Sequence, residues 1–351
     1  MSDILTSLGW TSAHASQFSA LCQFSRINAS PGRVVAVDRD SVQIATEAGR
    51  RRFHLTTDSP GGHTWPPVIG DWVAVEQSKI AFVLPRNTFL ERPSSKRGHE
   101  GQPVAANIDV LLIVEPLPQF SLSRVERMAA IARFSGVEAW LIATKADLVG
   151  DGIVDQVRGD ACNVVDKFFV TSTGDLQTFD SLKRELAFGR NAVVFGRSGA
   201  GKSTLINIMT GTDLPTQAVR QEDGKGRHTT TRRTLTAANG FILIDSPGVR
   251  ELAAVEDPAA IEEVFSDIVE AAEDCYFSDC THSSEPDCAV LEMIANGVID
   301  PERLERYQRM LREARRNDPA YAQQQRRDER RASKNASRGR RWAMAQKNRF
   351  N

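Results

Sequence analysis

The spacing of hydrophobic and polar positions changes several times along the chain. Residues 1–31 show no clear period and predict no element. From Gly32 the stretch GRVVAVDRDSVQIAT alternates apolar and polar residues around a turn at Asp38-Arg39-Asp40. RRFHLTT, GDWVAVEQ and KIAFVLPR continue as short runs, broken by Pro60-Gly61-Gly62 and Pro66-Pro67. Such closely spaced short strands predict a small β-barrel over 32–92. Spacing alone leaves an OB-type and an SH3-like barrel open. Residues 93–106 are polar, basic and Gly/Pro-bearing, the composition of a linker.

Over 107–255 the texture becomes α/β. Strands are expected at 109–114, 137–143, 167–170 and 191–195, with a hairpin at 235–244. Helices are expected at 122–134, 152–162, 179–188 and 202–209. The run at 109–114 is continuously apolar, as in a strand buried on both faces. Strands alternating with helices imply a parallel sheet covered on both sides. Residues 256–318 read as helical around a Cys/His cluster, and the helix at 301–316 has proline at its first position. Residues 319–351 form a biased Arg/Gln/Ala tail.

Charge changes this picture in one respect. The chain of 351 residues has a net charge of −1, yet from Arg326 onward ten Lys/Arg face two Asp/Glu. The tail therefore carries +8 and the residues before it about −9. A basic tail on an acidic body points to a polyanionic partner. No apolar run approaches the roughly 20 residues of a membrane span. MSDILTSLGW lacks a basic region ahead of an apolar stretch, so a signal peptide is not expected and the cytoplasm is. Five cysteines, an odd number, argue against a disulfide framework.

GRSGAGKS, Gly196 to Ser203, has the spacing G-x-x-x-x-G-K-[ST] of a phosphate loop between a strand and a helix. Its residues are Gly196, Arg197, Ser198, Gly199, Ala200, Gly201, Lys202 and Ser203, followed by Thr204. Glycines let backbone N–H groups turn inward on phosphate oxygens, Lys202 reaches the β- and γ-phosphates, and Ser203 offers a hydroxyl to Mg²⁺. DSPG ends the strand FILID, so Asp245 can join the Mg²⁺ shell and Gly248 can offer its N–H to the γ-phosphate. Between these motifs, QEDGKGRHTTTRR carries Thr229, Thr230 and Thr231; Thr230 is the favoured further Mg²⁺ ligand.

The phosphate loop does not separate ATP from GTP. LIATKADL does more: Thr144-Lys145-Ala146-Asp147 resembles the guanine-reading N-K-x-D motif. An aspartate there accepts from guanine N1–H and N2–H₂, donors that adenine lacks. Thr144 stands where asparagine is expected and cannot donate the same amide bond, so reduced nucleotide affinity is expected. Thr171 and Ser172, at the next strand end, loosely match the fifth GTPase motif. These base-reading motifs precede the phosphate loop. That order, 4-5-1-2-3, resembles the circularly permuted GTPases. An ATPase or kinase, or an RNA-binding module with vestigial nucleotide binding, remain the readings from other classes.

CYFSDCTHSSEPDC places Cys275, Cys280, His282 and Cys288 within fourteen residues. Four such ligands suit a closed, tetrahedral, structural Zn²⁺ site, one per chain. His228, far away in the Thr-rich segment, is not expected among them.

With GRSGAGKSTLIN, GRHTTTRR, DSPGVREL and CYFSDCTHSSEPDCAVLE together, the chain resembles the ribosome small-subunit-dependent GTPase A family over about residues 30–316. The resemblance implies a multidomain protein: an OB-type β-barrel, a central α/β P-loop GTPase domain with circularly permuted motifs and a C-terminal helical zinc domain. It implies hydrolysis of GTP to GDP and phosphate, stimulated by the 30S subunit, in late small-subunit maturation. The partners expected are the 30S subunit and its 16S rRNA, and the chain is expected to be monomeric. Val249 follows DSPG where a water-orienting glutamine is usual, so slow intrinsic turnover is expected. The catalytic residues expected are Lys202, Thr230 and His228, with Arg197 a weaker alternative to His228.

Overall fold

The computed structural model describes residues 3–38, 40–55, 66–92, 102–212, 233–238, 240–245 and 257–317. They fall into two compact units, one running to Asp245 and one from Asp257.

The first unit begins with two helices where no period was visible, α1 (Asp3–Ser7) and α2 (Ser12–Ser25). Thr11 caps α2. Its hydroxyl accepts the His14 N–H at 3.4 Å, while His14 Nδ1 accepts the Thr11 N–H at 3.2 Å. A histidine thus takes the place of the Glu or Gln of the usual capping box. No side chain of α2 is fully buried, so no apolar stripe was needed and none is present.

Five short strands follow: β1 (Ser30–Val37), β2 (Ser41–Thr46), β3 (Gly49–His54), β4 (Trp72–Glu76) and β5 (Lys79–Val83). They pair antiparallel in the order β3-β2-β1-β4-β5. Val34, Ile44, Phe53, Val73 and Ile80 fill their common interior. A hairpin comes next, β6 (Phe89–Arg92) with β7 (Gln102–Ala106). Residues 102–106 therefore belong to a strand and not to a linker. Val104, Ala105 and Ala106 are buried, an apolar end that the polar residues before it conceal.

The remaining strands of this unit are β8 (Val110–Pro116), β9 (Glu138–Thr144), β10 (Lys167–Val170), β11 (Asn191–Phe195), β12 (Arg233–Ala238) and β13 (Phe241–Asp245). The helices between them are α3 (Leu122–Phe134), α4 (Asp151–Ala161), α5 (Asp180–Leu186) and α6 (Lys202–Thr210). Strands β10-β9-β8-β11-β13 lie parallel in that order, and β12 adds antiparallel to β13. Every residue of β8 is buried, as a doubly covered strand requires. Trp140, Leu182, Leu186, Leu205 and Met209 pack over one face of the sheet.

The parallel sheet and the five N-terminal strands are continuous. β12 pairs antiparallel with β1, Ala36 opposite Thr234 and Val37 opposite Arg233, which joins eleven strands into one sheet. Arg33, 1% exposed, fastens the same junction. It donates to the Gly70 carbonyl at 3.3 Å, to Asn191 Oδ1 at 3.0 Å and to the Leu8 carbonyl, and lies 4.9 Å from the Trp72 ring centre. Burial pulls its pKa down to about 10. Asn191 opens β11 and is itself held by Asp109 Oδ2, through its backbone N–H at 2.7 Å and its amide at 3.0 Å.

The second unit is helical: α7 (Pro258–Val264), α8 (Ser266–Glu273), α9 (Ala289–Ala295) and α10 (Pro301–Asn317). Asp257 caps α7 through the Ala259 N–H. Ile261, Phe265, Ile268 and Met310 are buried, and Arg303 of α10 clasps Asp267 of α8 with two bonds of 2.7 Å. Among the described residues no helix is long and apolar enough to cross a membrane.

Candidate functional site

Four predicted motifs sit at strand ends on one side of the parallel sheet. The phosphate loop follows β11, Asp245 ends β13, Thr144 ends β9, and Thr171 follows β10. In an open parallel sheet the carboxyl ends of the strands form the ligand crevice. Parallel pairing brings these ends together although they lie up to 101 positions apart, from Thr144 to Asp245.

Gly196 leaves β11 where a Cβ would lie 2.3 Å from the Val114 carbonyl oxygen, so only glycine lets the loop pass β8. Gly201, at φ 100°, lies in the left-handed region at the turn into α6. Between them Arg197, Ser198 and Gly199 are exposed, and Ala200 is buried. Lys202 starts α6. Its ammonium donates to the carbonyls of Gly196 at 2.6 Å and Arg197 at 2.9 Å, which holds it over the loop. Ser203 and Thr204 lie half-buried in the first turn of α6, where backbone N–H groups are unspent.

Lys202 and Asp245 face each other electrostatically. Burial pushes the Lys202 pKa down and Asp245 pulls it back; burial pushes the Asp245 pKa up and Lys202 pulls it back.

The TKAD turn is tied to the GRSGAGKS loop by Thr144. Its hydroxyl donates to the Ala200 carbonyl at 2.7 Å, and its side chain lies 7% exposed beside Gly201. The hydroxyl that replaces an amide is thus engaged on the phosphate loop itself. Lys145 follows in the left-handed region at φ 59°, turning the chain so that Asp147 stands on a short 3₁₀ turn, Ala146–Leu148. Asp147 Oδ1 accepts the Ser172 hydroxyl at 2.8 Å. Ser172 Oγ also accepts the Gly174 N–H at 3.0 Å, and the Thr171 carbonyl accepts the Ala146 N–H at 3.3 Å. Thr171 and Ser172 therefore meet the TKAD motif directly. Gly174 and Thr178 complete this loop, with the Ser172 N–H donating to Thr178 Oγ1 at 3.0 Å; sequence reading had no signal for either. His228, Thr229, Thr230, Thr231, Gly248 and Val249 lie outside the described residues.

The second unit carries a separate centre. The ligand atoms of Cys275, Cys280, His282 and Cys288 all lie within 4.8 Å of one another. Cys275 Sγ is 3.6 Å from His282 Nδ1 and 3.8 Å from Cys288 Sγ, and His282 Nδ1 is 3.4 Å from Cys288 Sγ. Such a group can hold a metal ion. Cys288 directly precedes α9. Burial raises the Cys275 pKa, but the N–H groups of Val290 and Ala289 at the start of α9, together with hydrogen bonds to Cys288 and Cys280, bring the thiol below its usual value. Burial also lowers the His282 pKa, with Glu285 opposing it, a direction that favours the neutral imidazole a metal needs. Glu285, which sequence reading passed over, shapes the loop between the ligands. Its carboxylate accepts the backbone N–H groups of Thr281, Ser283 and Ser284 at 2.9–3.0 Å.

The GRSGAGKS turn, an acidic strand end and the TKAD turn at neighbouring strand ends, with TKAD first in the chain, have the layout of a circularly permuted P-loop GTPase. The family model for RsgA GTPase matches residues 83–255. The small ribosomal subunit biogenesis GTPase RsgA of Streptomyces coelicolor is 38% identical over 321 residues, covering 88% of this chain and 86% of that protein. RsgA 1 of Listeria innocua is 38% identical over 337 residues, covering 92% and 94%. The chain belongs to the RsgA GTPase family and is a GTP hydrolase that binds guanine nucleotide. Two solved structures share its fold. YjeQ from Thermotoga maritima aligns with a TM-score of 0.58 at 25% identity, covering 82% of this chain and 99% of that one. YloQ, described as a circularly permuted GTPase, aligns at 0.57 and 21% identity, covering 83% and 97%.

Proposed function

We propose that this GTPase acts in late maturation of the small ribosomal subunit, with the 30S particle stimulating its hydrolysis of GTP to GDP and phosphate. The observation that carries the reading is the Thr144–Ala200 tie between a guanine-reading turn and a phosphate loop. It makes one crevice of two motifs, on a chain whose relatives are named small ribosomal subunit biogenesis GTPases. In this reading 16S rRNA is the polyanion that the basic tail meets, the chain works as a monomer in the cytoplasm, and domains span 32–92, 107–255 and 256–318.

The residues divide the work. Loop N–H groups from Ser198 to Ser203 receive phosphate oxygens, and Lys202 neutralises β- and γ-phosphate charge. Asp147 accepts from the guanine ring while the Lys145 stem covers its face, and Thr171 and Ser172 hold that turn in place. Ser203 and Asp245 fit a magnesium shell: a hydroxyl in the first helical turn and a half-buried carboxylate already facing a cation. Magnesium would supply charge neutralisation between β- and γ-oxygens. From sequence alone Thr230 joins that shell, Gly248 meets the γ-phosphate, and His228 acts on the attacking water.

The Cys/His centre reads as structural zinc. Zinc lies about 2.3 Å from sulfur, so two tetrahedral sulfurs stand about 3.8 Å apart, and Cys275 and Cys288 are 3.8 Å apart. Four protein ligands leave no open position for catalysis. The barrel order β3-β2-β1-β4-β5 supports an OB-type barrel over an SH3-like one.

The test is GTP hydrolysis with and without purified 30S subunits, for the wild type and Asp147→Asn. Stimulation by the subunit is expected for the wild type with GTP. The variant is expected to prefer xanthosine triphosphate, whose C2 oxygen suits an amide donor. Equal competition by ATP, or no response to the subunit, defeats the reading.

A further inference from the structure

Three attachments meet where β12 begins. The backbone of Arg233 pairs with Val37 of β1. The next residue, Thr234, pairs with Ala36 of β1 on one side and with Asp245 of β13 on the other. A single residue of β12 thus stands between the barrel and the strand end that carries Asp245. The third attachment is the Arg233 side chain. Its Nη1 donates to the Pro103 carbonyl at 2.6 Å and to the Val104 carbonyl at 3.2 Å, both in β7. The guanidinium is partly buried, burial lowers its pKa, and no carboxylate among the described residues pairs with it. Burying a cation without a counter-ion is costly. What these bonds secure in return is a fixed place for the first residue of β12 against β7.

We propose that Arg233 is a positioning residue: by fastening β12 to β7 while β12 pairs with β1, it sets the place of Asp245 and makes the barrel a mechanical part of the magnesium end of the nucleotide site. The inference rests on reading Asp245 as a magnesium-shell residue. The base contacts and those of the phosphate loop are carried at the ends of β9, β10 and β11, none of which pairs with β12. Loosening Arg233 therefore acts on the magnesium requirement and on turnover, and spares the base.

The experiment measures the Mg²⁺ midpoint for retention of a fluorescent GTP analogue, kcat for GTP, and GDP affinity in excess Mg²⁺. The proteins are the wild type, Arg233→Met, Arg233→Lys and Asp245→Asn. Two bonds from a charged donor disappear in Arg233→Met, so its midpoint is expected to rise roughly tenfold and kcat to fall, with GDP affinity within about twofold of wild type. Arg233→Lys, which keeps the cation and gives up the fork, is expected to fall between. A shifted midpoint in Asp245→Asn with an unshifted one in Arg233→Met overturns the role of Arg233. So does a fall in GTP and GDP affinity together, the mark of a general loss of stability. An unshifted Asp245→Asn overturns the reading of Asp245 and this proposal with it. If Arg233→Met does not fold, hydrogen exchange decides on Arg233→Lys. Faster exchange at 241–245 is expected, and unchanged exchange with an unchanged midpoint overturns the proposal.

Discussion

Thr144 shows what one hydroxyl can replace. A threonine lacks the amide of the expected asparagine, and on chemistry alone the exchange costs affinity. In the fold its Oγ1 lies 2.7 Å from the Ala200 carbonyl, and that bond joins the TKAD turn to the GRSGAGKS loop. Thr144→Val keeps the shape and removes the donor, leaving the carbonyl of the buried Ala200 without this partner. Nucleotide affinity is then expected to fall about tenfold, since an unpaired buried acceptor costs about 1–3 kcal/mol. Thr144→Ser keeps the hydroxyl and is expected to stay close to wild type. Titration with a fluorescent GDP analogue checks both, and wild-type binding by Thr144→Val would leave the tie without a role. Sequence placed Thr144 at the site; that its hydroxyl faces the loop depends on parallel strands bringing Ala200 beside it.

The Cys/His loop makes the same point for an element. Its four ligands were legible because they lie within fourteen residues, so their closeness needs no tertiary contact. What the spacing could not show is how the loop is preorganised. Glu285 gathers three N–H groups beneath it, and the Thr281 hydroxyl together with those N–H groups holds its carboxyl well below the usual range. The start of α9 turns its N–H groups toward Cys275. Cys280→Ala is expected to bind well under one zinc per chain, and the helical unit to unfold at a lower temperature, because metal binding and folding are coupled. Metal analysis with thermal unfolding is the check, and full zinc occupancy in the variant removes Cys280 from the site. α2 is the contrasting element. Its Thr11–His14 box was present in the sequence, but a helix that buries no side chain has no apolar period to reveal it.

At the scale of the whole molecule, charge and sheet topology act separately. The tail from Arg326 carries +8 and lies outside the described residues. If it meets rRNA through phosphates, removing 326–351 leaves intrinsic GTP hydrolysis intact. It also flattens the salt dependence of 30S binding, by about 0.7–0.9 in log–log slope for each phosphate that is no longer neutralised. Binding measured across a salt series tests this, and equal slopes for both proteins make the tail a bystander. The sheet works through direct pairing instead of charge. Through β1–β12 pairing and the buried Arg33, the N-terminal strands are part of the same sheet as the phosphate loop and not a bead on a linker.

By itself the sequence determined what is local. The phosphate loop, the TKAD turn, the Cys/His cluster and the parallel strands each depend on a few neighbouring residues and a regular period, and both survive in one dimension. Tertiary structure alone decided which distant ends converge. Thr144 on Ala200, Ser172 on Asp147, Arg33 on Asn191 and Arg233 on β7 join positions 25 to 158 apart. Such pairs carry no spacing rule. Their partners are chosen by strand order and register, which depend on how the whole chain buries its apolar faces.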